Sequence, residues 1–130
     1  MNLAHSIRVE RNKEHINFKR RSNPNTLIRS RIYGNTLKGK YNTYKSNAKK
    51  RKLEFNLSLE EFNSFWGKPC SYCKSEIETI GLDRVNPNIG YSLKNIITCC
   101  TKCNWLKNDY SIYDFAKFCK QVVNNLPIHL

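Results

Sequence analysis

The sequence predicts an α+β fold in which a small module of two strands and a helix is flanked by further helices and preceded by a basic arm. Two Cys-x-x-Cys pairs bracket a segment long enough for a hairpin, and apolar residues recur at helical spacing on both sides of it. A chain of 130 residues fits one domain with a modest core. We expect the arm over residues 1–36 and the folded domain over 37–130, with the hairpin–helix core near 70–109.

Basic residues are concentrated in the first part of the chain. Residues 1–52 contain 15 of the 23 lysines and arginines and only two acidic residues, whereas the remainder is electrically balanced. The net charge of +13 predicts an anionic partner, for which nucleic acid is the first candidate. Charges on every side of residues 17–31 argue against the broad apolar face that a membrane-surface helix needs.

The N-terminal arm shows neither helical nor strand periodicity and is rich in Asn, Arg, Lys and Ser. This composition predicts a segment that is flexible on its own or is ordered by DNA. Its basic residues and those near position 50 are the candidate contacts to nucleic-acid phosphates: Lys19, Arg20, Arg21, Arg29, Arg31, Lys49, Lys50, Arg51 and Lys52.

Helical spacing begins after the arm. Leu37, Tyr41, Tyr44 and Ala48 follow one another at intervals of three and four residues, and they predict a basic helix over residues 37–52 with a thin apolar stripe.

A short strand and a second helix are predicted next. Residues 53–57 alternate between apolar and polar types. Ser58 and Glu61 then have the spacing of a capping box, and Gly67 and Pro69 mark the end of the helix. The apolar face of this helix comprises Leu59, Phe62, Phe65 and Trp66.

The last helix is predicted from Ser111, with Asp114 in the capping-box position and Pro127 at its end. We expect Trp66 and Trp105 to lie in the core. We also expect a buried stripe along the last helix: Ile112, Phe115, Phe118, Cys119, Val122 and Val123.

Between these helices the sequence has the pattern of a hairpin. Residues 79–85 and 96–99 read as its two strands, and the Asn, Pro and Gly residues of 86–90 mark the turn after the first strand. Residues 102–107 predict a helix directly after the second strand.

The paired cysteines predict one tetrahedral zinc site, because each Cys-x-x-Cys places two sulfurs on one turn. Two disulfides or four buried thiols are the alternatives. No apolar run typical of a secretory signal follows the N-terminus, so we expect a reducing, intracellular location, in the cytoplasm or at the nucleoid. Spacing favours Cys100 over Cys99 as a ligand, and Cys119 is predicted to be a buried thiol. The predicted ligands are Cys70, Cys73, Cys100 and Cys103.

Three segments resemble the HNH endonucleases, a family that folds as a ββα-metal module. They are Gly81–Val85, Gly90–Asn95 and Cys100–Lys107, and the resemblance extends over residues 41–120. An Asp-Arg pair in place of Asp-His is similar to the zinc-binding phage-type and PacI-like branch of that family. The resemblance implies metal-dependent hydrolysis of phosphodiester bonds in DNA, with Mg²⁺ or Mn²⁺ at the active site.

The resemblance also assigns roles to individual residues. Asp83 and Asn104 match the two protein ligands of the divalent catalytic ion. Asn95 matches the asparagine that braces the loop between the strands, and Lys107 matches a lysine expected to contact a phosphate.

Arg84 occupies the position at which most of the family has a histidine acting as general base. Arginine does not release its proton near neutral pH, so we expect Arg84 to hold the scissile phosphate instead. Another group must then accept the proton. A tyrosine of the basic helix, Tyr44 or Tyr41, is the leading candidate because neighbouring lysines favour a phenolate, and metal-bound water is the other. The three histidines all lie outside the motif: His5, His15 and His129.

The predicted function is that of an HNH-type DNA endonuclease that nicks DNA or cuts both strands. A homodimer is one arrangement that permits double-strand cutting. Two alternatives remain open at this stage: a catalytically inactive, zinc-stabilised nucleic-acid-binding protein, and an RNA-binding component of a ribonucleoprotein. The Asn- and Lys-rich composition suggests an AT-rich, virus- or phage-encoded gene.

Overall fold

The computed structural model describes residues 3–127, which form a mixed fold of helices and one small two-stranded sheet. The elements in chain order are α1 (Leu3–Ser22), α2 (Pro24–Gly34), α3 (Leu37–Lys50), α4 (Leu59–Asn63), β1 (Leu82–Arg84), β2 (Ile96–Thr98), α5 (Thr101–Lys107) and α6 (Ile112–Asn125).

The N-terminal arm, in which the sequence shows no helical or strand periodicity, is helical in its described part, where it forms α1 and α2. Asn23 caps α2 by accepting a hydrogen bond from Asn25 N, and Pro24 occupies the first helical position. Every side chain described in α1 is exposed, and α2 has no buried residue. A helix that buries no face carries no apolar periodicity, which is why the pattern did not reveal it.

The α2–α3 junction is close-packed. A Cβ atom at Gly39 would collide with the carbonyl group of Tyr33, so glycine is required at this point of α3. None of the helices within residues 3–127 combines the length and the apolar character needed to cross a bilayer.

The predicted helix α3 is confirmed, whereas α4 begins as predicted but ends at Asn63, so Phe65 and Trp66 lie in the turn that follows it; aromatic residues of both helices form the core. The capping box of Ser58 and Glu61 is present at the start of α4. It places Phe62, which is 0% exposed, against the rings of Tyr41 and Tyr44, each with its centroid 5.4 Å away in an edge-on arrangement. Clustered aromatic rings bury large areas and favour this geometry, so Phe62 is the centre of the core.

The segment 53–57 is not the strand that its alternation predicted. It forms one isolated parallel bridge, between Phe55 and Tyr91, with hydrogen bonds from Tyr91 N to Glu54 O (2.9 Å) and from Asn56 N to Tyr91 O (2.8 Å). The alternation instead reflects side chains such as Leu57 that pack into the core while their neighbours are exposed.

The hairpin is present, with shorter strands than predicted. β1 and β2 are antiparallel, with Leu82 opposite Thr98 and Arg84 opposite Ile96. A Cβ atom at Gly81 would collide with the carbonyl group of Cys99, so only glycine permits the close approach at this end of the sheet. α5 begins three residues after β2, which gives the order strand, strand, helix.

The predicted buried stripe on α6 is wrong. Ser111 does cap this helix, but Phe118 is 60% exposed and Cys119 is exposed, so Cys119 is not a core thiol. Trp66 packs against the core as expected, whereas Trp105 is 80% exposed. Periodicity located the apolar face of α6, but within the described residues no element covers most of it.

We expect Phe62→Ala to lower the free energy of unfolding by about 3–5 kcal/mol, because the substitution leaves a cavity at the centre of the aromatic core. The matched change Phe118→Ala, at an exposed position on α6, should alter it by no more than about 0.5 kcal/mol. Urea denaturation of both variants at saturating metal measures the difference. Equal losses would contradict this description of the core.

Candidate functional site

The first cysteine pair lies in a tight turn over residues 70–75, called here the cysteine turn. The turn is closed by hydrogen bonds from Cys70 N to Ser75 O and from Lys74 N to Cys70 O, both 2.9 Å. It is joined to the end of β2, because Ser71 N lies 2.9 Å from Thr98 O and the two hydroxyl groups are 2.9 Å apart.

The second pair lies at the start of α5. Cys100 is the N-cap residue of this helix, and its sulfur accepts a hydrogen bond from the N–H of Cys103 at 3.4 Å. The cysteine turn is joined to the end of β2, and Cys100 and Cys103 follow that strand directly. The second cysteine pair therefore lies next to the first.

The four sulfurs form one cluster. They lie within 4.8 Å of one another, and Cys73 Sγ is 3.7 Å from Cys100 Sγ. A disulfide requires about 2.05 Å, whereas metal–sulfur bonds of about 2.3 Å in a tetrahedron separate the sulfurs by about 3.8 Å. The cluster can thus hold a metal ion such as zinc, and it contains Cys100 rather than Cys99.

Two of the four thiols of the cluster, Cys70 and Cys73, are biased towards the thiolate form that binds metals, whereas burial and the neighbouring thiols raise the pKa of Cys103. The hydroxyl and backbone N–H groups of Ser75 lower the pKa of Cys73 to about 6. At Cys70 burial acts to raise the pKa, but backbone N–H groups outweigh it and lower the pKa. Outside the cluster, burial and the charge of Asp83 raise the pKa of Cys99 to about 12, so Cys99 stays a neutral core thiol.

Asp83, on β1, is buried, and its two carboxylate oxygens accept hydrogen bonds from different donors, Oδ2 from Tyr72 and Oδ1 from Lys107. The hydroxyl of Tyr72, from the middle of the cysteine turn, donates to Asp83 Oδ2 at 2.7 Å. Lys107 Nζ, from the end of α5, lies 3.2 Å from the same oxygen and 3.5 Å from Oδ1. Burial, together with the hydrogen bond to Asp83, raises the pKa of Tyr72, so its hydroxyl remains a donor.

Lys107 does not occupy the exposed position that a phosphate contact requires. Its side chain is 0% exposed, and its ammonium group also donates to Arg84 O at 3.3 Å. The lysine instead neutralises Asp83 and joins α5 to β1.

A cleft of about 520 Å³, called here the Asp83 cleft, lies between β1 and α5. Asp83 and Asn104 both line it, and Asn104 is exposed. The carboxylate and carboxamide predicted to share a cation are therefore on the wall of one cleft. The other polar or aromatic residues lining it include Arg51, Arg84, Tyr91, Thr101, Trp105, Asn108 and Asp109.

Arg84 lines the cleft but is held by the loop after β1. Its Nη1 atom donates to the carbonyl oxygens of Pro87 and of Ile89, the latter at 3.2 Å, and the guanidinium lies 5.6 Å from the ring centroid of Tyr91. The guanidinium has further N–H donors on its other two nitrogens. Arg84 is thus fixed in orientation while part of it faces the cleft.

Asn95 holds the same loop from inside. Its Oδ1 accepts from Asn86 N at 2.9 Å, and its Nδ2 lies 3.1 Å from Asn86 O and 2.9 Å from Gly90 O. The buried amide thereby satisfies several backbone groups of the turn between the strands, and its position is structural rather than exposed to a substrate.

The geometry does not favour Tyr44 as a proton acceptor. Its hydroxyl accepts a hydrogen bond from Leu82 N at 2.9 Å, and burial raises the pKa of Tyr44, opposite to the effect expected from neighbouring lysines. Tyr41 donates its proton to Leu57 O at 2.8 Å. His15 is exposed on α1, and the side chain of His5 and all of His129 lie outside the described part of the chain.

A second cleft, of about 540 Å³, runs between α3 and the Asp83 cleft and is called here the α3 cleft. Asn104, Tyr91 and Arg51 line both. Lys50 is also in the α3 cleft, whereas its neighbour Lys49 lines a separate depression.

The predicted basic residues of α1 and α2 are exposed and line neither cleft. They are Lys19, Arg20, Arg21, Arg29 and Arg31. Lys52 is exposed too and lines the same separate depression as Lys49.

Sequence reasoning missed three residues of the site. Tyr72 lies between Cys70 and Cys73, and the Cys-x-x-Cys pattern gives no role to the residues between its two cysteines. Lys40 is one turn from Tyr44 on α3 and lines the α3 cleft, which the helical spacing could have indicated. Asp109 adds a second carboxylate to the Asp83 cleft and lies 3.8 Å from Arg51 Nη2.

Comparisons with known proteins give one relative and one structural neighbour. No protein-family model matches the chain. The uncharacterized protein R423 of Acanthamoeba polyphaga mimivirus is 36% identical over 94 residues, which cover 71% of this chain and 18% of that protein. The chain thus spans less than a fifth of the length of its relative, and the likeness is compatible with a viral origin.

Among solved structures, the rare-cutting HNH restriction endonuclease PacI is similar, with a TM-score of 0.53 and 20% sequence identity. The similarity covers 65% of this chain and 74% of the PacI chain. It shows that the chain has an HNH-like fold.

We expect Cys73→Ser to weaken metal binding by at least about 100-fold. Replacing a residue that only contacts a metal ligand costs up to about 100-fold in affinity, and replacing a ligand itself should cost at least as much. Cys73 is exposed, so its replacement leaves no cavity and acts through the metal alone. Cys119→Ser, also at an exposed thiol, should retain about one metal ion per chain. Elemental analysis after dialysis against a chelator distinguishes the two, and normal folding of the metal-free wild type would contradict the assignment.

Proposed function

We propose that the chain is a metal-dependent HNH-type endonuclease that hydrolyses phosphodiester bonds in DNA. One observation carries the proposal: Asp83 and Asn104 line the same cleft, between a strand and a helix whose junction is held by the cysteine cluster. The fold likeness to PacI, itself described as an HNH restriction endonuclease, supports the proposal.

Zn²⁺ is the proposed occupant of the cysteine cluster, in a structural role. Four sulfur ligands at tetrahedral separation suit zinc, and a site without an open position does not perform catalysis. Binding of structural zinc supplies roughly 10–16 kcal/mol in small domains, comparable to the stability of a whole domain.

Mg²⁺ or Mn²⁺ is the proposed catalytic ion, held by Asp83 and Asn104. Both residues offer oxygen atoms, which these hard cations prefer, and each carboxylate oxygen of Asp83 accepts one hydrogen bond from a side chain, Oδ1 from Lys107 and Oδ2 from Tyr72, so lone pairs remain on both. Such an ion supplies Lewis acidity towards a phosphate oxygen and towards water.

The remaining groups of the cleft position the phosphate and accept the proton. Arg84 is held by two carbonyl groups, lines the cleft and has further N–H donors, so we assign it the role of binding the phosphate. Tyr44 remains protonated because of its raised pKa. The carboxylate of Asp109 lines the same cleft, and we assign it the role of accepting a proton from water.

DNA enters, in this proposal, along the α3 cleft. Lys40, Lys50 and Arg51 line it and lead to Asn104, so a phosphate backbone lying on α3 passes beside Asp83. Double-strand cleavage by a homodimer and RNA as a substrate remain further proposals.

A non-cleaving, zinc-stabilised nucleic-acid-binding protein is the second candidate. It is favoured by the arginine at position 84 and by the absence of a histidine from the cleft among the described residues. Nicking of supercoiled plasmid by the wild type distinguishes an endonuclease from a protein that only binds nucleic acid.

We expect Asn104→Ala and Asp83→Asn to reduce nicking of supercoiled plasmid in Mg²⁺ or Mn²⁺ by about 100-fold or more, while DNA binding persists. Asn104→Ala is the cleaner test, because Asn104 is exposed whereas Asp83 is paired with a buried lysine. Asp109→Asn should lower the rate and change its pH profile.

Asn63→Ala is the matched control, since this exposed asparagine at the end of α4 lines neither cleft. Full activity in both site variants would falsify the assignment of the site. Binding without cleavage by the wild type in either metal would favour the second candidate.

Adjacent lysines at the end of α3 provide a charge-matched test of the binding path. Lys50 lines the α3 cleft and Lys49 does not. We expect Lys50→Gln to reduce the slope of log affinity against log salt concentration by about 1, the loss of one phosphate contact. Lys49→Gln should leave the slope unchanged in fluorescence anisotropy titrations. An equal change of slope in the two variants would indicate that DNA is attracted by the overall positive charge and not bound along the α3 cleft.

A further inference from the structure

We propose that Tyr72 is a positioning residue for Asp83, so that the cysteine turn fixes the orientation of the catalytic carboxylate as well as holding zinc. This inference rests on the proposed function and assigns a residue to it that neither the motif nor the fold likeness supplies.

The backbone on both sides of Tyr72 is fixed by the metal cluster. Tyr72 lies between Cys70 and Cys73, whose sulfurs belong to that cluster, and the turn is closed by the hydrogen bond from Lys74 N to Cys70 O at 2.9 Å. A side chain between two metal ligands has little freedom of backbone movement once the metal is bound.

The hydroxyl of Tyr72 holds one carboxylate oxygen of Asp83. Tyr72 Oη donates to Oδ2 at 2.7 Å, whereas the hydrogen bond of Lys107 Nζ is to Oδ1, at 3.5 Å, with Oδ2 3.2 Å away. A carboxylate oxygen has about two lone-pair sites, so lone pairs remain for a cation while Tyr72 helps to set the orientation of the group.

Two donors from different elements restrict the carboxylate more than either alone. Lys107 approaches from α5 and Tyr72 from the cysteine turn, so rotation of the Asp83 carboxylate would break at least one contact. Hydrogen bonds of this type around a metal-ligating group typically change metal affinity or activity by 10–100-fold when removed.

Packing alone does not require the hydroxyl. The ring of Tyr72 lies edge-on to Phe115 of α6, with centroids 6.0 Å apart, and a phenylalanine would make the same contact. Lys107 already neutralises the negative charge of Asp83, so the hydroxyl of Tyr72 is not needed to compensate that charge. The remaining role for the hydroxyl of Tyr72 is to orient the carboxylate of Asp83.

α6 supports the same residue. Its N-terminus is joined to β1 by the hydrogen bond from Ile112 N to Val85 O at 3.4 Å, and Phe115 then reaches the ring of Tyr72. Tyr72 is thus held by metal ligands on both sides of its backbone and by an aromatic contact on its ring.

The test is Tyr72→Phe, which removes only the hydroxyl. We expect the variant to retain its zinc and its melting temperature and to bind Mn²⁺ about 10–100-fold more weakly, by titration of the free protein with Mn²⁺ and electron paramagnetic resonance. The Mn²⁺ concentration that gives half-maximal nicking should rise by the same factor, with recovery of the rate at saturating Mn²⁺. Tyr113→Phe is the matched control, because Tyr113 is 82% exposed on α6.

Unchanged Mn²⁺ affinity and unchanged half-maximal concentration in Tyr72→Phe would overturn the inference while the nuclease assignment stands. A wild type that neither binds Mn²⁺ nor nicks DNA would overturn both. If Tyr72→Phe loses zinc, Phe115→Leu decides the question, because it leaves the cysteine turn intact. Weaker Mn²⁺ binding with zinc retained then supports the role of Tyr72, and unchanged binding overturns it.

Discussion

The buried ion pair between Asp83 and Lys107 is the interaction on which the arrangement of the site depends. Their charged atoms lie 3.2 Å apart, and the two residues join β1 to α5 across 23 intervening positions. Removing one partner of such a pair leaves an uncompensated charge in the interior, at a cost of about 3–5 kcal/mol. The pair thus constrains the packing of α5 on β1, and with it the placement of Asn104 beside Asp83 on one cleft wall.

The sheet is too small to hold this arrangement alone. Two strands of three residues are marginal without further packing, and the aromatic core around Phe62 covers only one side of them. The cysteine cluster packs as a second, separate cluster around the buried thiol of Cys99. The sulfur atoms of the cysteine cluster and the oxygen atoms of Asp83 and Asn104 belong to different residues, so the proposed zinc and the proposed catalytic ion do not compete for the same groups.

The basic residues are concentrated in one part of the fold. The surplus of basic residues lies in α1 to α3, but only part of α3 faces the clefts, through Lys40, Lys50 and Arg51. The basic residues of α1 and α2 are exposed on helices that bury nothing among the described side chains, so they add positive charge to the surface without shaping the two clefts.

The sequence by itself determined the local features: the four cysteines that cluster, the caps at Ser58 and Ser111, the hairpin and the helix α3. Each depends on residue spacing over one or two turns, which is visible in a single chain. Only the tertiary structure decided that α6 keeps Phe118 exposed, that Lys107 is buried, and that Tyr72 reaches Asp83. These outcomes depend on which distant element covers a residue, because burial and pairing are set by contacts between segments that no local pattern encodes.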